Sequence, residues 1–183
     1  MNNLIILDRD GVINQDSDDY IKDPDEWVPL TRSLQAISIL KSAGWTIAVA
    51  TNQSGLARGL FDLDTLEAIH QKMQRSLADY QAKIDYVIWC PHSPVDECEC
   101  RKPKPGMFRQ IASHFNCELV NVPVVGDSRS DLEAAVTVNA KPMLVKTGKG
   151  LRSIFAGQLP AGTKIYDDLY DAVLDLLVPA TIF

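Results

Sequence analysis

Leu4-Ile5-Ile6-Leu7 is apolar at four successive positions and runs directly into Asp8-Arg9-Asp10-Gly11. A strand with one wet face alternates apolar and polar residues. An unbroken apolar run instead reads as a strand covered on both faces, the usual state of a parallel sheet. The two carboxylates that follow stand two residues apart. If Gly11 lets the chain bend there, both can face one crevice rather than opposite sides of a sheet. One can then attack phosphorus while the other handles protons. Asp and Gly are also ordinary turn formers, so these four residues by themselves do not decide between a turn and a reactive centre.

Strand-like and helix-like patterns alternate along the chain. Strands are expected at 4–7, 46–50, 86–89, 122–125 and 143–145, with a short sixth at 164–166. Helices are expected at 30–43, 62–82, 105–115, 131–138 and 168–177. In the second of these, Leu63, Leu66, Ile69, Met73 and Leu77 share one face, and Asp62 or Asp64 can cap its start. Such alternation implies right-handed crossovers and an α/β fold: a Rossmann-like parallel sheet flanked by helices. At 183 residues, with 46% hydrophobic content, the chain is expected to be one domain over 1–183. No stretch is long enough for a separate cap domain, so specificity must come from loops such as 14–28.

The polar residues gather after the first four strands. Open parallel sheets bind ligands beyond the carboxyl ends of their strands, so these segments converge on one place. A phosphoester site needs a nucleophile, a cation, a proton donor and donors for the moving phosphoryl group. Asp8 is read as the nucleophile and Asp10 as the general acid and base. Two close carboxylates repel each other, and an oxygen-lined phosphate site points to Mg²⁺ between them. Asp127, in Gly126-Asp127, supplies a further acidic ligand, whereas Asp131 reads as a supporting or helix-start residue. Thr51 and the N–H groups of Asn52, Gln53 and Ser54 can hold phosphate oxygens. Lys102 offers a fixed charge in a loop stiffened by the neighbouring prolines Pro103 and Pro105, and Arg101 a forked donor for the substrate.

Cys90-x-His92, a five-residue gap and Cys98-x-Cys100 place three sulfurs and an imidazole in eleven residues. That set suits a closed, tetrahedral, structural Zn²⁺ in a loop over 90–100. Zinc there would act by positioning Arg101 and Lys102. Cys117 reads as a lone buried thiol. His70 and His114 read as surface or edge residues, and Trp27 and Trp45 as packing.

Eighteen basic and twenty-four acidic residues give a net charge of −6, which makes nucleic acid a poor partner. No apolar run is long enough to span a membrane, and the N-terminus lacks a signal-peptide pattern. A cytoplasmic protein is expected.

Asp8-x-Asp10-Gly11, Thr51, Lys102 and Gly126-Asp127 occur in the order and spacing of the four motifs of the haloacid dehalogenase (HAD) superfamily, and the chain resembles its phosphatases. Val12 stands where many members have Thr, at a position without a chemical role. Further segments resemble the superfamily's sugar-bisphosphate phosphatases. These are Val12-Ile13-Asn14, Thr51-Asn52-Gln53-Ser54-Gly55, Cys98-Glu99-Cys100-Arg101-Lys102-Pro103 and Lys146-Thr147-Gly148-Lys149-Gly150. That resemblance implies a HAD-like fold without a cap, an aspartyl-phosphate intermediate and removal of the C7 phosphate of a heptose 1,7-bisphosphate. It also implies a monomer, phosphoryl-holding roles for Thr51 and Lys102, substrate recognition by Arg101, and a small flap at 16–20 that puts Asp16 beside the substrate. For the C1 anomer it points to the β form.

Three other readings compete. A histidinol-phosphate phosphatase shares the acidic motif and a similar zinc loop, but Lys104-Pro105-Gly106-Met107 and Thr147-Gly148-Lys149-Gly150 favour the sugar enzyme. A DNA-end 3′-phosphatase would call for a basic stripe that this chain lacks. A non-catalytic zinc module would not need Asp8, Asp10, Lys102 and Asp127 together. The decisive expectation is spatial: Asp8 and Lys102 must meet.

Overall fold

The computed structural model describes residues 3–178; residues 1–2 and 179–183 of the expected 1–183 domain lie outside it. Six strands form one all-parallel sheet: β1 (Leu4–Leu7), β2 (Thr46–Asn52), β3 (Tyr86–Cys90), β4 (Pro123–Gly126), β5 (Lys141–Val145) and β6 (Lys164–Tyr166). Their spatial order is β3-β2-β1-β4-β5-β6. The six helices are α1 (Thr31–Ser42), α2 (Leu63–Ala78), α3 (Gly106–His114), α4 (Arg129–Thr137), α5 (Gly150–Ala156) and α6 (Leu169–Leu177).

The apolar run of β1 explains why the sheet is covered twice. Ile5 and Leu7 pack on one side with Ile37 and Leu40 of α1, Ile69 and Met73 of α2, and Val173 of α6. Leu4 and Ile6, the alternate residues, pack on the other side with Phe108 and Ile111 of α3 and Ala134 and Ala135 of α4. The chain builds outward from β1 through β2 to β3, then returns to start β4 against β1's other edge. The crevice between the ends of β1 and β4 is therefore a topological switch point.

The boundaries differ from expectation in places that matter. β2 extends through Asn52, so Thr51 is a strand residue. α2 ends at Ala78 rather than 82, because the chain turns back there: Tyr80 and Ala82 both donate to the Leu77 carbonyl. α5, unforeseen, is a seven-residue helix with only Gly150 buried, too short for an apolar periodicity to reveal it. Two single-turn 3₁₀ segments, Pro24–Glu26 and Pro94–Asp96, also went unread. Between β1 and β2 and between β2 and β3 the described residues form one helix and loops, without a separate cap. Trp27 is fully buried in the core, as expected. Cys117 is half-buried rather than buried, lying past the end of α3 where the core thins. No helix among the described residues is long and apolar enough to cross a membrane.

Candidate active site and metal centres

A cleft of about 310 Å³ opens at the carboxyl ends of the strands. Asp8, Asp10, Asp16, Thr51, Asn52, Gln53, Ser54, Arg101, Lys102 and Asp127 all line it, so every residue expected at the reaction centre reaches one place.

Asp8 continues β1, its N–H donating to the Val125 carbonyl of β4 at 2.9 Å. Lys102 arrives from the far side of β3, and its Nζ is 3.0 Å from Asp8 Oδ1. The ammonium is almost wholly buried and has three acceptors: Asp8, Asp131 at 2.6 Å and the Ala50 carbonyl at 2.6 Å. Burial would lower its proton affinity, but the charges of Asp131 and then Asp8 more than reverse that, so it stays charged. Asp131 is thus Lys102's counter-ion. It also completes a capping box with Ser128 at the start of α4, accepting from the Ser128 N–H at 3.0 Å and hydroxyl at 2.6 Å.

The backbone of Lys102 is fixed by Asn52. The Asn52 Nδ2 donates to the Lys102 carbonyl and its Oδ1 accepts the Lys102 N–H, both at 3.1 Å. The Asn52 side chain is therefore committed to holding Lys102 at the cleft wall; the expectation for this residue concerned its backbone N–H. The Gln53 N–H, also expected to hold phosphate, instead donates to the Cys90 carbonyl at 2.8 Å.

Ligand oxygens of Asp8, Asp127 and Asp131 all lie within 4.8 Å of one another. Burial pushes Asp8 up to about 7, with the charges of Asp131 and Asp10 adding to the effect and Lys102 opposing it. Burial pushes Asp127 up to about 8, reinforced by Asp8 and Asp131. With Asp131 neutralised by Lys102, Asp8 and Asp127 remain as a buried acidic pair whose charge calls for a divalent cation. The cradle admits nothing larger than glycine. Gly11, at φ +80°, and Gly148, at φ +55°, both abut the Asp127 carboxylate, and a Cβ on either would collide with it. Lys149, beside Gly148, donates its N–H to Asp127 at 2.7 Å. Asp127 is not a helix cap; Ser128 fills that position.

Asp10 sits in a nest of donors. Arg9 Nε and Nη2 grip its two oxygens at 3.0 Å each, Asn14 Nδ2 donates at 2.8 Å and Gln53 Nε2 at 3.0 Å. Burial alone would raise its pKa, but the Arg9 charge and these bonds win and lower it. Gln53 Nε2 also donates to Thr51 Oγ1 at 2.9 Å, tying the phosphate-facing end of β2 to Asp10.

Arg9 and Asn14 carried no role in the sequence reading, yet both are fully buried at this carboxylate. An arginine between two aspartates at the end of a buried strand was the signal available. His70 is a correction. Expected at the surface, it is only 9% exposed, and Arg9 Nη1 meets its Nε2 at 3.2 Å. Burial, with Arg9's charge beside it, pushes His70 down to about 3, so the ring is neutral.

On the opposite rim, Asp16 pairs with Lys149 at 3.2 Å and Asp18 with Arg152 through two bonds of 2.7 and 2.8 Å. These pairs tie the 16–20 flap to α5, the helix that the sequence reading did not contain. Arg101 lines the cleft, and its Nη1 donates to the His92 carbonyl at 3.2 Å.

The second cluster is Cys90, His92, Cys98 and Cys100. Its sulfur-to-sulfur distances are 3.1, 3.5 and 3.6 Å, and His92 Nδ1 lies 3.3 Å from Cys100 Sγ and 3.6 Å from Cys90 Sγ. A tetrahedral zinc with Zn–S near 2.3 Å has edges of about 3.8 Å, so a small outward shift, largest for the Cys90–Cys100 pair, brings the donor set to the dimensions that metal requires.

Residues 99–172 match the model of the HAD-hydrolase-like family. The chain is 56% identical over 166 residues to the D-glycero-beta-D-manno-heptose-1,7-bisphosphate 7-phosphatase of Pseudomonas aeruginosa, covering 91% of this chain and 93% of that protein. It is 39% identical over 153 residues to the protein of the same name from Escherichia coli K12, covering 79% and 80%. Among solved structures, the D,D-heptose 1,7-bisphosphate phosphatase of Bordetella bronchiseptica, in complex with magnesium and phosphate, superposes with a TM-score of 0.94 at 54% identity, covering 96% of this chain and 98% of that one.

Proposed function

The chain belongs to the D-glycero-beta-D-manno-heptose-1,7-bisphosphate 7-phosphatase family of HAD-like hydrolases, and from that membership we propose how its own residues carry out the reaction. The enzyme is a phosphoric monoester hydrolase that removes the C7 phosphate and releases heptose 1-phosphate, a step in making nucleotide-activated heptose for lipopolysaccharide core. The relatives' names favour the heptose substrate over histidinol phosphate, and they specify the β anomer. We assign the activity to one domain over 1–183, monomeric and cytoplasmic; a reduced cysteine cluster suits that compartment.

The observation that carries the mechanism is the meeting of Asp8, Lys102 and Asp127 at the switch point. A carboxylate oxygen of Asp8 attacks the C7 phosphorus, forming the Asp8 O–P bond as the bond from phosphorus to O7 breaks. The donors around Asp10 favour its carboxylate, so its acid role needs a proton taken up as the negatively charged phosphate enters the cleft. Asp10 passes that proton to the departing O7 and then, as a carboxylate, takes one from the water that cleaves the aspartyl-phosphate. Lys102, charged and held by Asn52 and Asp131, faces the phosphoryl oxygens beside Asp8, with Thr51 and the N–H groups of Asn52 and Ser54 around them. Arg101 and Asp16 stand on the two rims, where the rest of the sugar phosphate lies.

Mg²⁺, held by the Asp8 and Asp127 carboxylates and the Asp10 carbonyl, supplies positive charge that keeps the carboxylates ionised and offsets the phosphate. Cys90, His92, Cys98 and Cys100 would hold a structural Zn²⁺, which would fix the loop that ends in Arg101 and Lys102.

Parallel kinetics on both anomers of the heptose bisphosphate and on histidinol phosphate test the substrate. Faster turnover of histidinol phosphate would overturn this reading.

A further inference from the structure

Asp10 does not orient itself. All of the contacts on its two oxygens come from side chains, and the strongest is the two-pronged grip of Arg9. Arg9 is wholly buried, so its own position is set by what it touches in the interior. Two of its three guanidinium nitrogens are used on Asp10. The third, Nη1, meets one acceptor, the Nε2 of His70, at 3.2 Å. His70 belongs to α2, a core helix anchored by Ile69 and Met73 on either side of it in sequence. Its ring is further confined by Trp89 of β3, with centroids 5.6 Å apart. A guanidinium is a planar fork, so a bond that restrains one nitrogen also restrains the direction in which the other two present their N–H groups. A neutral imidazole with its proton on Nδ1 is the form that accepts from Arg9.

We propose that His70 is a positioning residue for the reaction: through Arg9 it sets the orientation of the Asp10 carboxyl toward the leaving oxygen. The proposal rests on the assignment of Asp10 as the proton donor. His70 itself touches neither the cleft nor, by hydrogen bond, Asp10. Its influence therefore falls on the two steps in which Asp10 acts, protonation of the leaving oxygen and the later activation of water.

That restriction gives a specific test. An alkyl phosphate needs its leaving oxygen protonated, whereas nitrophenolate departs unaided, so p-nitrophenyl phosphate bypasses the donor. The value of kcat/KM reports steps through the departure of the leaving group and excludes the later hydrolysis of the aspartyl-phosphate. In His70→Phe, which keeps an aromatic ring and loses the acceptor, kcat/KM for the heptose bisphosphate falls on the order of tenfold, a fraction of the 10²–10⁴ that a positioned acid supplies. For p-nitrophenyl phosphate it stays within about twofold of wild type, as expected of a step that needs no proton. His70→Gln, which restores an acceptor, recovers most of the alkyl activity. His70→Met is the second acceptor-less variant, for use if Phe does not fit the site.

A parallel fall on both substrates, or no fall on either, overturns the proposal. If the wild type does not hydrolyse the heptose bisphosphate, the proposed function fails instead. The His70 comparison is then made on whichever alkyl phosphate the wild type does cleave.

Discussion

Lys102 Nζ lies 3.0 Å from Asp8 Oδ1, joining the end of β1 to the loop beyond β3. The contact sets a buried cation beside the carboxylate proposed to attack phosphorus. In Asp8→Asn the nucleophile is gone while the side chain's shape remains. Turnover of the bisphosphate should fall by at least about 10³-fold, with an unchanged circular dichroism spectrum. Retained turnover would remove Asp8 from the mechanism.

Asp131 is the other half of that arrangement. In Asp131→Ala, Lys102 keeps only Asp8 as a charged partner, and the Ser128 N–H at the start of α4 loses its acceptor. Breaking a buried ion pair from one side costs about 3–5 kcal/mol. Urea unfolding should show a loss of that size, with kcat reduced as Lys102 draws toward Asp8. A change under about 1 kcal/mol would mean that the pair is not buried as described.

The acidic pair makes metal-free stability depend on pH. Asp8 and Asp127 bind protons more tightly folded than unfolded, with folded values of about 7 and about 8 against an ordinary 3.8. The folded state therefore holds extra protons between those limits, and the stability they give is lost as pH rises through the window. In chelator, Tm should fall between about pH 5 and about pH 8, and Mg²⁺ should stabilise most at the upper end. Asp127→Asn removes one of the two groups, so its slope should be shallower than wild type. The buried neutral His70 works in the opposite sense below about pH 6.5, and the comparison of the two proteins cancels it. Equal slopes would refute the account.

The cysteine cluster makes a separate prediction. His92→Ala opens the four-ligand set at a residue whose carbonyl also receives Arg101. Zinc measured by mass spectrometry should drop below one per chain, and Tm should fall with it. At saturating Mg²⁺, kcat/KM for the bisphosphate should also decline, because the loop that presents Arg101 and Lys102 is no longer fixed. Full activity in a protein shown to lack zinc would separate the cluster from the active site.

Several residues were legible without coordinates because their signal is local. Asp8, Asp10, Asp127 and the set Cys90, His92, Cys98 and Cys100 each stand at a strand end or in a tight cluster, where residue type and spacing limit what they can do. Arg9, Asn14 and His70 were not legible in that way. Arg9 and Asn14 are buried against Asp10 and His70 against Arg9, and an isolated arginine or histidine in a sequence carries no mark of its partner. Gln53 shows the complementary error. At the end of a strand its N–H reads as a phosphate donor, whereas it is used on the Cys90 carbonyl.

By itself, the order of apolar runs and helical periodicities determined a two-sided parallel sheet with its chemistry at the strand ends, because burial pattern follows the period of each element. Tertiary structure decided which distant side chains share a hydrogen bond. That depends on strand order, on the reversal between β1 and β4, and on how far α2 and α5 lean over the rim, none of which is encoded in neighbouring residues. The grip on Asp10 and the counter-ion of Lys102 exist only once those elements have packed.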